Sequence, residues 1–129
     1  MRFTLESNDT ANIISAVSPG EIRIGEQRFA ASLIVGASDL IPDWPVANVA
    51  SVTLSMLEPA LKLEPEILLL GTGSATRFPD SPLLAELSRR RIGFEAMDTA
   101  AACRTYNVLA HEDRAVVAAL IIEARSSPR

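Results

Sequence analysis

The chain has 129 residues, of which 48% are hydrophobic and 22% are charged, enough apolar side chain for the core of one domain. Twelve basic and sixteen acidic residues give a net charge of −4, which disfavours nucleic acid as a partner. The single cysteine, Cys103, excludes an intramolecular disulfide and favours a cytosolic type of compartment.

The sequence carries no recognisable targeting or membrane-spanning segment. Residues 1–6 lack the basic and apolar stretches of a secretory signal. No apolar run approaches the ~20 residues that cross a bilayer. We therefore expect a soluble cytoplasmic protein without a transmembrane segment. A single domain is predicted over residues 1–125, followed by a disordered tail at residues 126–129.

The first half of the chain is typical of β-strands. Four short extended runs are predicted, at residues 12–17, 21–24, 27–30 and 32–35. A turn at Ser18-Pro19-Gly20 separates the first two runs, and Gly25-Glu26 favours a type II′ hairpin between the second and the third. Farther on, Pro42 and Pro45 flank Trp44 and predict a loop or an edge strand.

Helix signals begin in the middle of the chain. Ser55 and Glu58 match a capping box and predict a short helix. Ser81 is the predicted cap of a second helix, with Pro82 at its first position. Gly93 is the predicted stop of this second helix.

The second half alternates strands with helices. Apolar runs at residues 66–70, 94–97 and 115–122 predict three strands. Asp98 is predicted to cap a third helix that ends near Ala110. The order strand–helix–strand–helix–strand, after the N-terminal hairpin region, predicts an α/β fold class with a C-terminal βαβαβ part.

Four stretches of this second half carry a family resemblance. They are Leu-Leu-Leu-Gly-Thr-Gly at residues 68–73, Gly-Phe-Glu-Ala-Met-Asp-Thr at residues 93–99, the run ending in Thr-Tyr-Asn-Val-Leu at residues 100–109, and the apolar run at residues 114–120. Together they resemble the Mth-domain family, which includes mitochondrial respiratory complex I assembly factor 3 and the adipogenesis-associated Mth-domain protein. The resemblance is specific over residues 64–122.

The resemblance implies a three-layer α/β fold with a central mixed β-sheet. It also implies that bacterial members are small cytoplasmic proteins without an established enzymatic activity. Since the chain lacks the targeting extension of mitochondrial members, we expect a bacterial relative.

Two junctions between a strand and a helix offer a candidate site. Gly71-Thr72-Gly73 follows a buried strand, where doubly wound sheets place ligands, and its amides could approach an anion. If the strands are neighbours, Asp98 and Thr99 face this loop across a cleft. A tight turn at the glycines and a helix cap at Asp98 are the competing structural explanations. The candidate ligand-binding residues are Gly71, Thr72, Gly73, Arg77, Met97, Asp98, Thr99, Arg104 and Asn107.

No catalytic constellation is evident. One helix places Cys103 and His111 roughly 12 Å apart, too far for a dyad, and one cysteine with one histidine does not form a usual zinc site. We predict no metal and no cofactor. Arg104 is expected to form an ion pair with Glu95, Asp98 or Glu112, Tyr106 to lie in the core, and Asn107 to bond a neighbouring loop.

Two functions remain open at this point. The first is a protein-binding module of the assembly-factor type, with respiratory-complex subunits as partners. This function disfavours an enzymatic activity. The alternative is a small-molecule or anion-binding protein, or an enzyme, with its pocket at the Gly71–Gly73 loop. A homodimer formed through an exposed N-terminal edge strand is a further expectation.

Overall fold

The computed structural model describes residues 11–123. The tail predicted at residues 126–129 lies outside the described residues. Within the described part, two β-sheets and three α-helices form, and a 3₁₀ turn at Val49–Ser51 leads into the first helix.

The smaller sheet is antiparallel and contains three strands. They are β1 (Ile14–Ser18), β2 (Glu21–Ile24) and β3 (Gln27–Phe29), in that spatial order. Ile24 pairs with Gln27, so the connection between β2 and β3 has two residues, and Gly25 adopts φ +60° there. Only the first of the two turn residues has a positive φ, which is the pattern of the predicted type II′ turn.

The larger sheet is mixed and contains five strands. They are β4 (Leu33–Gly36), β5 (Asp39–Ile41), β6 (Ile67–Gly71), β7 (Gly93–Met97) and β8 (Val116–Leu120). The spatial order is β5-β4-β8-β6-β7, with β6 parallel to both neighbours and β4 antiparallel to both neighbours. The predicted strands are therefore present, with ends shifted by at most two residues.

The three helices are α1 (Leu54–Leu61), α2 (Ser81–Arg89) and α3 (Thr99–His111). The predicted cap of α1 at Ser55 is wrong. Thr53 is the N-cap, and its hydroxyl accepts a hydrogen bond from the Met56 amide at 3.2 Å. The reason is backbone conformation: Thr53 is extended, as a cap must be, whereas Ser55 already lies in the first helical turn.

Both predicted ends of α2 also shift. Asp80 occupies the N-cap position, Ser81 is the first helical residue and Pro82 the second. The helix ends before Gly93, because Arg91 takes the left-handed conformation at φ +62° and Gly93 already begins β7. Arg89 and Arg90, at this end, both pair with Glu86.

The larger sheet is covered on both faces, which gives the three predicted layers. Alternate residues of β8 divide between the two cores: Val116, Ala118 and Leu120 pack with α3 and the smaller sheet. Val117 and Ala119 pack with α1 and α2 on the opposite face. This double coverage explains why β6 and β8 lack polar alternation in the sequence.

Two structural features bear on partners. β3 and β5 lie at sheet edges, so the strand geometry that the homodimer prediction requires is present, and the dimer stays a prediction. Among residues 11–123, no helix has the length and apolar character needed to cross a membrane.

Candidate functional site

A cleft of about 410 Å³ lies at the carboxyl ends of the central strands. One wall is formed by β1, β2 and the Ser18–Gly20 turn between them. The other walls come from the Gly73-Ser74 loop, the start of α3 and the segment that follows β8. The predicted neighbourhood of the two strand–helix junctions is confirmed, since β6 and β7 pair in parallel and bring both loops to one edge.

Thr99 holds the glycine loop against the start of α3. Its buried hydroxyl accepts a hydrogen bond from the Gly73 amide at 2.8 Å and donates one to the Ile121 carbonyl at 2.7 Å. Its own amide donates to the Gly73 carbonyl at 2.9 Å. One side chain therefore ties together the chain segments after β6, β7 and β8.

Backbone conformation favours glycine at position 73. Its φ of +99° is a conformation that other residues adopt only with strain, and a Cβ atom there would also require the flexible Glu123 carboxylate to shift. A bulky substitution at Gly73 would thus disturb the backbone, which makes it unsuitable as a simple surface variant.

Thr72 points away from the cleft and organises its own loop. Its hydroxyl donates to the Ala75 carbonyl at 2.6 Å and accepts from the Arg77 amide at 3.1 Å. Its amide donates to the Met97 carbonyl at 2.8 Å. Since Thr72 is buried, its hydroxyl belongs to the loop structure and does not face the cleft.

Two carboxylates line the cleft, and a backbone amide orients each of them. Asp98 accepts a hydrogen bond from the Ala101 amide at 2.8 Å, which confirms the predicted helix cap. Glu123 accepts from the Ser74 amide at 3.1 Å. The Thr72 and Gly73 amides, which were expected to approach an anion, donate instead to the Met97 carbonyl and the Thr99 hydroxyl.

The structure brings only three of the nine candidate residues to the cleft wall: Gly73, Asp98 and Thr99. Gly71, Thr72, Arg77, Met97, Arg104 and Asn107 are not among the lining residues. Asn107 instead bonds the backbone of β1, accepting from the Ile14 amide at 2.9 Å and donating to the Ile14 carbonyl at 2.8 Å. Its partner is a strand, where the sequence suggested a loop.

The ion pair expected for Arg104 is wrong: within residues 11–123 this exposed side chain forms no salt bridge with Glu95, Asp98 or Glu112.

Sequence reasoning also missed Glu123, which lies 49 positions beyond its partner Ser74. No local pattern signals that contact, because only the parallel pairing of β6 with β8 creates it.

Cys103 and Tyr106 lie on the buried face of α3, which confirms the core position predicted for Tyr106. Burial raises the pKa of the Cys103 thiol and of the Tyr106 phenol, each to about 12. The Tyr106 hydroxyl donates to the Asn12 carbonyl at 2.8 Å. Among residues 11–123, no three His, Cys, Asp or Glu side chains cluster closely enough to hold a metal ion.

Cys103 should therefore resist alkylation in the native protein. The thiolate is the reactive form, and a pKa of about 12 leaves very little of it at neutral pH. Mass spectrometry after iodoacetamide treatment should detect the adduct only when denaturant is present. Fast labelling of the folded protein would contradict this burial.

Comparison with known proteins identifies a family that matches most of the chain. A family described as "Protein of unknown function (DUF498/DUF598)" matches residues 14–121. The NADH dehydrogenase (ubiquinone) 1 alpha subcomplex assembly factor 3 of Danio rerio is 40% identical over 83 residues, which cover 63% of this chain and 48% of that protein. The chain therefore spans about half the length of the curated assembly factor that it matches.

Two further similarities concern bacterial proteins. The 13 kDa major membrane protein of Francisella tularensis subsp. holarctica is 31% identical over 103 residues, which cover 78% of this chain and 80% of that protein. The solution structure of a Mth938-like domain from Bordetella pertussis superposes with a TM-score of 0.78 at 31% identity, covering 89% of this chain and 88% of that one. The resemblance to the Mth-domain family and the predicted fold class are confirmed.

Proposed function

Because the chain belongs to the DUF498/DUF598 family of proteins of unknown function, we propose that it is a protein-binding module of the assembly-factor type. The observation that carries the proposal is its similarity to the assembly factor of Danio rerio, at 40% identity over 83 residues. Its partners are then subunits of a respiratory complex that need a binding protein during assembly.

The outer face of α3 is a suitable surface for such a partner. Val108 is 56% exposed, although it is a large aliphatic residue, and the exposed Arg104 lies one turn before it. The inner face of the same helix holds Ala102 and Tyr106 in the core, so α3 is rigidly supported. Arginine beside an apolar side chain on a rigid helix is typical of protein interfaces.

A quantitative pull-down from the native host tests this function. Wild type should recover respiratory-complex subunits, and the double substitution Arg104→Glu with Val108→Asp should reduce their recovery by about tenfold or more. Both positions are exposed, so the variant should keep the wild-type melting temperature.

The matched control is Lys62→Glu, a charge reversal at an exposed position just after α1, on the opposite face of the sheet. This control should retain full recovery. The proposal is wrong if wild type recovers no respiratory-complex subunit, or if both variants recover as much as wild type. Equal losses in the two variants would place the partner's contact elsewhere than α3.

A further inference from the structure

The walls of the cleft are mainly apolar. Val17 and Ile22 of the smaller sheet line the cleft together with Ile122, which follows β8, and the three belong to one apolar cluster. The volume of about 410 Å³ falls within the range of small-molecule sites, which is roughly 300–1,000 Å³. These walls favour a ligand with a hydrocarbon body.

The charge of the cleft is negative. Asp98 and Glu123 are the ionisable residues in its described lining, and no arginine, lysine or histidine side chain of residues 11–123 lines it. The start of α3 adds a positive partial charge of about half an elementary charge, too small to balance two carboxylates. An anion is therefore opposed here, and a cation is attracted.

Both carboxylates are held in place and keep an oxygen available. Asp98 uses Oδ1 to accept from Ala101, and Glu123 uses Oε1 to accept from Ser74. Neither Asp98 Oδ2 nor Glu123 Oε2 has a hydrogen-bond or salt-bridge partner within residues 11–123. An ammonium group has three donors and no acceptor, which complements such oxygens.

We propose that this cleft is a binding site for a small aliphatic amine cation. The methylene chain of the amine contacts the apolar walls, and its ammonium group donates hydrogen bonds to Asp98 and Glu123. This inference goes beyond the proposed function, because it concerns a small molecule and a surface distinct from the exposed face of α3.

Calorimetric titration with three six-carbon compounds tests the site. Hexanediamine carries positive charge, hexanediol none and adipate negative charge, on the same hydrocarbon chain. The diamine should bind, and rising salt should weaken its binding because the carboxylates are partly exposed. Binding of adipate, equal binding of hexanediol, or no binding of the diamine would overturn the proposal.

Isosteric variants separate charge from folding. Asp98→Asn retains a side-chain oxygen for the helix cap, and Glu123→Gln retains an acceptor for the Ser74 amide. Each should lower the affinity for the diamine by about tenfold, and the double variant should remove measurable binding. Unchanged affinity in the double variant would place the diamine elsewhere on this acidic protein and refute the site.

A steric variant adds a second readout. Ser18 is exposed and lines the cleft, so Ser18→Phe should block the diamine without unfolding the protein. Ala16→Phe, on the same strand but outside the lining, should leave binding unchanged. Full binding to the Ser18 variant would also count against the cleft. The pull-down result does not affect these outcomes, so the two proposals fail separately.

Discussion

Above pH 10, the free energy of unfolding should fall, by about 2 kcal/mol at pH 12 from Tyr106 alone. The phenol has a pKa near 10 in the unfolded chain and about 12 in the folded protein, because burial disfavours the phenolate. Below pH 10 both states are protonated and this stabilisation is complete. Between pH 10 and 12 the unfolded chain releases its proton more readily than the folded protein does, so the stabilisation is lost as pH rises.

Cys103 acts in the same direction from pH 9 upward, since burial raises the pKa of its thiol from 9.0 to about 12. Urea unfolding followed by circular dichroism between pH 9 and pH 12 measures the loss. Because the sequence contains one tyrosine, phenolate absorbance reports Tyr106 directly. Up to about pH 11, the phenolate signal should appear together with unfolding, and not before it.

Tyr106→Phe is the matched control for this titration. Removing the hydroxyl leaves the Asn12 carbonyl without its donor and should cost about 1 kcal/mol at neutral pH. Above pH 10, the free energy of unfolding of this variant should fall less steeply with pH than that of wild type. The decline that remains is the contribution of Cys103. A phenolate that titrates near pH 10 in folded wild-type protein would contradict the burial of Tyr106.

Thr99→Val should destabilise the protein by about 2–6 kcal/mol. Valine has nearly the shape of threonine, but it leaves the buried Gly73 amide and Ile121 carbonyl without a partner. Each unsatisfied buried group costs about 1–3 kcal/mol. Chemical denaturation gives the difference in the free energy of unfolding.

Thr99→Ser is the control, because serine keeps the hydroxyl and loses only a methyl group. It should cost about 1 kcal/mol. A loss in the valine variant no larger than that in the serine variant would contradict the contribution assigned to the pair of hydrogen bonds. The valine variant should also weaken binding of the diamine, since Thr99 joins three walls of the cleft.

Local chemistry determined most secondary structure in this protein. Gly25 fixed a two-residue hairpin, Asp98 capped α3, and the aliphatic runs of β6 and β8 indicated strands covered on both faces. Each of these features depends on conformational preferences or burial periodicity within a few residues. The same reasoning failed at Ser55, Ser81 and Gly93, where several neighbouring residues could cap or end a helix and local preference did not distinguish between them.

The candidate site likewise contains features that local sequence predicts and contacts that it does not predict. The sequence placed Gly73, Asp98 and Thr99 at two strand ends, and parallel pairing then brought those ends together. It could not show that the Thr72 hydroxyl bonds within its own loop, that Asn107 bonds the backbone of β1, or that Glu123 accepts from the Ser74 amide. These contacts join residues 22 or more positions apart, apart from those Thr72 makes within its own loop.

The sequence by itself determined the fold class and the positions of the strands and helices, because those depend on local preferences and on the spacing of apolar residues. Only the tertiary structure decided the chemistry of the cleft. Its negative charge arises when β8 inserts between β4 and β6 and carries Glu123 to the glycine loop beside Asp98. The physical reason is that side-chain contacts across a sheet follow strand order and register, which local preferences do not specify.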